Sequence, residues 1–464
     1  MSGSGRDVSL VVLEQLIELL GSDRVVTDPD DVAALTTTWT GARPSGCLAV
    51  VRPQTAAAAA EVLRWCTESG VAAVPAGGLT GLVGGTLCTD PHIAISTSAM
   101  SAVLSVDAVA GRITLGAGAT IAAAQGASPQ GWRFPVDFGA RDSATVGGAI
   151  ATNAGGLRVM RHGTMRQNLV GIQFVTGDGL VVDDLRGLEK DNTGYSLAQL
   201  VAGSEGTLGL ITAATLRLAP AVGSRETALV GCADVATAVA LVGRLRRRIP
   251  GLEVAELISA RGMNLVGEAF NRLPPFPADA YLLVESVSSE PAPDGRLAEE
   301  LMAESDNLLD TAVAGSSRQR EDLFWWRESL TEAIARHRPQ LKLDISLPPA
   351  ELAGGVAEFD AIVEDSGADA EMVLYGHVGD SSLHLSILGA TIDAGSLEER
   401  LMVAVGRRSG SPSAEHGIGR VRVAQLPARR STEELQLFMR LKAALDPAGI
   451  LNPGVLLDPA KGRS

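Results

Sequence analysis

The chain has 464 residues, with 54 acidic and 39 basic side chains, a formal net charge of −15 and a pI near 5.0. That balance excludes a nucleic-acid partner, because there is no basic surplus to release counterions from a phosphate backbone. With 46% apolar residues the chain is too hydrophobic for disorder, and its length allows two or three domains.

From Val8 to about Leu20, apolar residues recur at helical spacing (Val11, Val12, Leu16, Leu19, Leu20), and Gly21 can close the helix. Glu14 and Glu18 within it, and the lack of a basic leader, argue against a signal peptide. Cys47–Arg52 reads as a strand, Thr55–Ser69 as a helix ended by Gly70, and Val71–Val74 as a strand running into a glycine-dense loop. Strand–helix–strand order of this kind places a ligand loop at the strand end. Ala94–Thr97 and Ile113–Gly116 add strands, and Ile121–Gly126 adds a helix. Leu169–Thr176 and Leu180–Val182 form a hairpin around Gly177-Asp178-Gly179. Leu208–Leu218 alternates like a strand, and Pro220 with the charged sequence after it marks a boundary near 220. Beyond it come helices at Val235–Arg248, Arg296–Thr311 and Glu351–Asp365. Strands are expected at Tyr281–Glu285, Leu341–Ser346 and His384–Leu388, and a loose tail from Asp458.

Two uncharged runs, Gly70–Thr89 and Ile113–Trp132, are long enough to span a membrane. Neither is read as a span: the first holds Pro75 and six glycines, and the second holds Pro129 and reads as strand then short helix. The four cysteines (Cys47, Cys66, Cys88, Cys232) show no CxxC spacing, which excludes a cysteine zinc site and argues against a disulfide scaffold. The expected setting is a reducing, cytoplasmic one.

Three segments carry the chemistry of the first half. Gly77–Gly85 has five glycines in nine residues after a strand. Its backbone N–H groups can form an anion nest for a pyrophosphate, although a tight turn with close packing explains one such cluster equally well. No GK[ST] follows, so it is not a P-loop. A second cluster runs from Pro135-Val136-Asp137 through Ser143–Gly156 to Arg161-His162-Gly163-Thr164. A third runs from Lys190-Asp191-Asn192-Thr193-Gly194-Tyr195 to Gly203-Ser204-Glu205-Gly206-Thr207-Leu208-Gly209. Repeated small, polar loops at strand ends suit a long dinucleotide that needs close backbone approach along its length.

These strings resemble the flavin-binding domain of the vanillyl-alcohol-oxidase type, in its D-2-hydroxyacid dehydrogenase branch, from roughly Arg52 to Leu218 and again from about Trp325 to Asn452. The resemblance implies an α+β chain: an N-terminal helical segment (1–40), a two-subdomain PCMH-type FAD-binding domain (41–220), a substrate or cap domain with an antiparallel sheet and a metal site (221–414), and a C-terminal segment returning to the FAD domain (415–464). Carried over by position, it assigns FAD contacts to Gly77, Gly78, Leu79, Thr80, Gly81, Gly84 and Gly85. It adds Pro135, Asp137, Ser143, Gly147, Gly148, Ala151, Asn153, Gly155 and Gly163, then Glu205, Gly209, Ile211 and Asn452. No histidine or cysteine lies in Gly77–Gly85, so non-covalent FAD is expected.

In the second half, His377 and His384 stand seven apart around a Gly379-Asp380-Ser381 turn, and Glu415-His416 follows. Two histidines and a carboxylate form a catalytic-metal set with open positions, whereas any one histidine alone is more commonly structural. These segments resemble the metal site of D-2-hydroxyglutarate and D-lactate dehydrogenases. That implies His377, His384 and Glu415 as ligands of a divalent metal (Zn2+, with Mn2+ or Fe2+ as alternatives). It makes His416 the base that takes the 2-hydroxyl proton while a hydride leaves C2 for flavin N5. Arg327, Thr331 and Lys342 match the residues that hold the distal carboxylate in the 2-hydroxyglutarate enzymes. Ser386 stands where those enzymes carry asparagine, and shares a strand face with His384.

The expected function is therefore FAD-dependent, metal-assisted oxidation of a D-2-hydroxy acid, with D-2-hydroxyglutarate or a similar dicarboxylate favoured over D-lactate or glycolate. Metallohydrolase and non-enzymatic flavin-binding subunit are the readings from other classes. The expected partners are a small 2-hydroxy acid and an electron acceptor (an electron-transfer flavoprotein, a quinone or a cytochrome). A homodimer is among the assemblies left open.

Overall fold

A computed structural model describes residues 13–89, 91–337, 339–367, 369–389 and 393–457. The chain divides into two compact units, one made of residues 1–155, 162–220 and 416–464, the other of residues 156–161 and 221–415.

The first unit contains β1 (Val25–Val26), β2 (Cys47–Val51), β3 (Ala73–Ala76), β4 (His92–Ser96), β5 (Val103–Asp107), β6 (Arg112–Gly116), β7 (Trp132–Arg133), β8 (Leu169–Val175), β9 (Val181–Asp184), β10 (Leu210–Arg217) and β11 (Ala219–Pro220). A four-stranded sheet has the order β1-β2-β4-β3, with β2, β4 and β3 parallel. The parallel pairing needs a crossover, and the helix Ala56–Ser69 lies between β2 and β3 in the chain. Thr55 caps it by accepting from the Ala58 N–H, and Gly70 ends it at φ 68°, a left-handed turn that only glycine adopts at little cost. Its apolar face (Ala59, Ala60, Val62, Leu63, Cys66) is buried with Ile93, Ile95 and Leu210. A second sheet, β5-β6-β10-β8-β9, is antiparallel and shares a core with the short helix Val146–Thr152. The C-terminal helix Thr432–Leu445 leads back to β3, where the Ala73 N–H donates to Ile450 O (2.8 Å) and the Asn452 N–H to Ala73 O (2.8 Å).

The second unit is built on β12 (Ser224–Cys232), β13 (Leu252–Ser259), β14 (Ala280–Ser288), β15 (Asp310–Val313), β16 (Pro339–Ser346), β17 (Glu371–Gly376) and β18 (Ser382–Leu388). These form one antiparallel sheet in the order β15-β12-β14-β13-β17-β18-β16. One face packs on helices Val235–Arg248, Arg296–Ala303, Leu352–Glu364 and Ala394–Arg407. The other packs on Ala260–Phe270, Ser317–Glu328 and Leu330–Arg336. The architecture is α+β, with mixed helices and mainly antiparallel sheets. No helix among the described residues is long and apolar enough to cross a membrane.

Several elements of the second unit differ from the sequence reading or were not read in it. The helix expected over Arg296–Thr311 stops at Ala303, and Asp310–Val313 instead pairs with β12 at the sheet edge. Ser305-Asp306-Asn307 between them are side chains that compete with helix hydrogen bonds, and β-branched Thr311 and Val313 suit a strand. Strand β13 had no sequence signal, because Glu253 and Glu256 interrupt its apolar run and a bulge lies between Leu252 and Val254. Of the expected N-terminal helix, residues 13–20 are helical; its start, and the tail from Asp458, lie outside the described residues.

Candidate functional site

In the first unit, β3 delivers the chain into the Gly77–Gly85 loop. Among the described residues, no backbone N–H from Gly78 to Val83 has a protein acceptor, so the loop presents a row of unused donors. A Cβ on Gly78 would lie 1.9 Å from the Ser143 carbonyl oxygen, and one on Gly77 would lie 2.4 Å from Thr145 Oγ1. The first and second glycine clusters are thus packed backbone to backbone. Gly147 packs equally closely on Ala117, and Gly148 donates to the capping Thr145 hydroxyl. Leu79 is held at φ 57°.

Asn452 ties the region together. Its Nδ2 donates to Gly85 O (2.9 Å) and Glu205 O (2.8 Å), while its buried Oδ1 has no partner among the described residues. Glu205, buried at φ 52°, takes hydrogen bonds from the Ile418 N–H (2.8 Å) and the Gly419 N–H (2.7 Å). Burial raises its pKa, and those two N–H groups only partly oppose the rise. Several residues assigned to FAD have protein partners as well. Asp137 accepts from Arg141 and Gln125, and the Asn153 side chain accepts from the Thr164 hydroxyl and the Arg166 N–H. Gly163 takes a left-handed turn at φ 73°, the Ala151 carbonyl accepts from the Glu205 N–H, and Gly209 lies against Phe174. Pro135, Gly155 and Ile211 are buried, and Ser143 is exposed. Unused N–H donors beside an unpartnered buried acceptor fit a ligand with both phosphates and N–H groups, as FAD has.

In the second unit, His377 follows β17 and His384 lies on β18. The turn between them closes through the Asp380 and Ser382 N–H groups, both donating to His377 O at 3.1 Å, with Ser381 at φ 67°. The rings of His377 and His384 then sit 5.6 Å apart. His377 Nε2 lies 3.8 Å and His384 Nε2 3.3 Å from the Glu415 carboxylate. One ligand atom from each of the three residues lies within 4.8 Å of the others. Each imidazole has a carboxylate behind it: Glu256 at 2.6 Å from His377 Nδ1, and Asp344 at 3.7 Å from His384 Nδ1. Asp344 also accepts from the Glu415 N–H (3.0 Å). Carboxylates at Nδ1 leave Nε2 as the ligating atom, which is how histidine ligands are held in metal sites. The donor set therefore fits a divalent cation.

The residues expected to hold a distal carboxylate lie on or against the same sheet. Cross-strand register puts Asp344, His384 and Tyr375 on one sheet face, with Lys342 and Ser386 one step along. Arg327 donates from Nε to Glu256 (2.7 Å) and stands 4.9 Å from the Tyr375 ring centroid. Its Nη1 and Nη2 make no hydrogen bond among the described residues. Burial raises the pKa of the Tyr375 hydroxyl, opposed by the Arg327 charge and by the neighbouring Thr331 and Ser386 hydroxyls. Thr331 and Lys342 are exposed, and Arg327 is mostly buried. Burial alone would raise the pKa of Glu256; the neighbouring His377 and Arg327 outweigh it and hold the carboxyl well below the usual range. Burial likewise disfavours a charged His377, but Glu256 and then Glu415 hold its pKa above the ordinary imidazole value.

Known proteins resolve the family. Residues 223–456 match the family described as FAD linked oxidases, C-terminal domain, and residues 47–184 match the FAD binding domain. The chain is 36% identical to the protein named D-2-hydroxyglutarate dehydrogenase, mitochondrial, of Bos taurus, over 97% of this chain and 83% of that one. It is 33% identical to a D-2-hydroxyglutarate dehydrogenase of Xanthomonas citri pv. viticola, over 97% of each. The chain belongs to the FAD-linked D-2-hydroxyacid dehydrogenases. Solved structures show the same fold at low identity. A p-cresol methylhydroxylase superposes with a TM-score of 0.73 at 14% identity, and the 4-ethylphenol oxidase of Gulosibacter chungangensis with 0.71 at 15%, each covering 98% of both chains.

In this FAD-linked oxidoreductase, the sequence reading did not single out Glu256, Asp344 or Tyr375. Tyr375 lies two residues before His377, so inspection of the histidine motif could have raised it. Asp344 lies two residues after Lys342 on the same strand face. Glu256 carries no local signal. His416, the residue after Glu415, begins the C-terminal segment of the first unit.

Proposed function

We propose that the enzyme oxidises a D-2-hydroxy dicarboxylate, D-2-hydroxyglutarate or a close analogue, to the 2-oxo acid with the help of a divalent cation, zinc by the chemistry of its donors. The observation that carries this reading is a His/His/Glu donor set near an arginine of the helix Ser317–Glu328 that packs on Tyr375 and whose Nη groups make no hydrogen bond among the described residues. When bound, non-covalent FAD supplies the acceptor, at flavin N5, for the hydride from C2, and the cation on His377, His384 and Glu415 supplies a Lewis acid for the 2-hydroxyl and C1 carboxylate. An imidazole nitrogen of His416 takes the hydroxyl proton. Arg327, Thr331 and Lys342 bind the distal carboxylate, with Arg327 offering its two Nη groups as a fork. The Tyr375 and Ser386 hydroxyls orient the carbon chain between those charges. FAD is held by the Gly77–Gly85 N–H groups, the Ser143–Gly156 cluster and Asn452.

The test is a substrate panel read by anaerobic flavin bleaching, with and without a chelator. D-2-hydroxyglutarate should bleach the flavin fully, D-lactate and glycolate much less, and the chelator should slow bleaching without releasing FAD. Equal bleaching by D-lactate removes the dicarboxylate assignment. Chelator-insensitive bleaching removes the metal.

A further inference from the structure

Glu256 lies on β13, fully buried. Its two oxygens go to two different side chains. Oε1 meets His377 Nδ1 at 2.6 Å, and Oε2 accepts from Arg327 Nε at 2.7 Å. A carboxylate only accepts, so His377 carries a proton on Nδ1, and Nε2, 3.8 Å from Glu415, is the nitrogen left to ligate a cation. We infer that Glu256 is a positioning residue that sets the metal-donor imidazole and the carboxylate-binding guanidinium in one fixed register. The inference rests on the function proposed above.

The carboxylate is needed for its shape and not simply for its charge. Glutamine offers one oxygen and one NH2, so it can serve only one of the two partners. If the NH2 faces His377, the imidazole must accept at Nδ1 and protonate at Nε2, the atom that should ligate. If it faces Arg327, donor meets donor and the guanidinium swings away. Aspartate keeps both acceptors but is one methylene short of reaching both partners.

The same sheet supplies a control. Glu285 on β14 is also buried, and it holds Arg320 of the helix Ser317–Glu328 and Arg225 of β12. Arg320 and Arg327 are seven residues apart on that helix, two turns, so Glu285 and Glu256 anchor one helical face at two points. Among the described residues, Glu285 makes no hydrogen bond or ion pair to His377, His384 or Glu415. Loosening the helix there leaves the imidazoles alone.

The experiment uses full-length holoprotein: the parent, E256Q, E256D and E285Q. Zn2+ affinity is measured by competition with a chromophoric chelator, and anaerobic flavin reduction gives kcat/KM for D-2-hydroxyglutarate and D-lactate. E256Q and E256D should each lose at least about tenfold in zinc affinity, in line with loss of a partner behind a ligand. Their preference for D-2-hydroxyglutarate over D-lactate should shrink by a similar factor. E285Q should stay within about twofold of the parent on both measures. If E256Q does not fold, E256D carries the same expectation. Parent-like zinc affinity in the Glu256 variants overturns the positioning role, and so does an equal loss in E285Q, which would make the effect a general loosening. A parent that binds no zinc removes the metal reading and this inference together, whereas a parent that binds zinc beside parent-like variants removes this inference alone.

Discussion

His416 and Arg327 carry different parts of the proposed reaction, and single substitutions separate them. His416→Ala should retain FAD, seen as an unchanged visible spectrum, while the rate of flavin reduction falls by about 10² to 10⁴, the usual contribution of a general base. Unchanged reduction would take His416 out of that role. Arg327→Ala removes a charge-assisted hydrogen bond of about 1.5–3 kcal/mol to the distal carboxylate, so kcat/KM for a dicarboxylate should drop roughly ten- to a hundredfold. D-lactate should be far less affected; equal losses count against the assignment. The same substitution strips one partner from fully buried Glu256. A lowered melting temperature should therefore accompany it, since breaking a buried pair costs about 3–5 kcal/mol. At this scale much was legible beforehand. Arg327, Thr331, Lys342, Ser386, His377, His384 and Glu415 were named from short strings, and the fold places them on strands β16 and β18, the turn between β17 and β18, two helices and the loop at Glu415. Tyr375 was passed over although it pairs across the strands with His384 and carries Arg327 over its ring.

Elements set what a loop can tolerate. Gly78 sits where a Cβ would collide with the Ser143 backbone, while a Cβ on Gly81 would meet nothing within 4 Å. Gly78→Ala should lower both the melting temperature and FAD retention. Gly81→Ala should leave the melting temperature of the FAD-stripped protein unchanged and weaken FAD alone, read by fluorescence titration. If it leaves FAD affinity unchanged, the Gly81 side of the loop does not face the cofactor. The strap at Ile418-Gly419 has a pH signature. Burial raises the pKa of Glu205 above its ordinary 4.5. The folded state then keeps a proton that the unfolded chain has released, so this group's contribution is full below that value and is lost as pH rises through the folded pKa. Glu205→Gln should flatten that decline in unfolding free energy above pH 4.5. A parent-like slope would place the titration elsewhere. The helices Ala56–Ser69, Val235–Arg248 and Leu352–Glu364 and the β8–β9 hairpin could be read directly from apolar period and turn residues, whereas Ala394–Arg407 and Thr432–Leu445 were not read. Strands β12, β13 and β17 could not, because buried glutamates and uneven apolar runs hide a period of two.

At the scale of the whole molecule, the residues proposed to bind the flavin fall in one compact unit and the proposed metal donors in the other. Each ligand should therefore protect its own unit, since a ligand stabilises the state that binds it. In hydrogen exchange, stripping FAD should raise exchange in residues 73–83, 143–156 and 416–457, and chelator should raise it in β13, β17 and β18. The reverse pattern would exchange the two assignments. Sequence by itself determined the glycine loops, the histidine turn and the family, because those depend on consecutive residues whose backbone freedom and spacing are written locally. Only the tertiary structure decided what stands behind the metal donors. Glu256 reaches His377 across 121 positions, and Asp344 reaches Glu415 across 71. Strand pairing brings such residues together through pleat and register, and nothing in the local sequence of β13 distinguishes a buried carboxylate with two partners from one facing water.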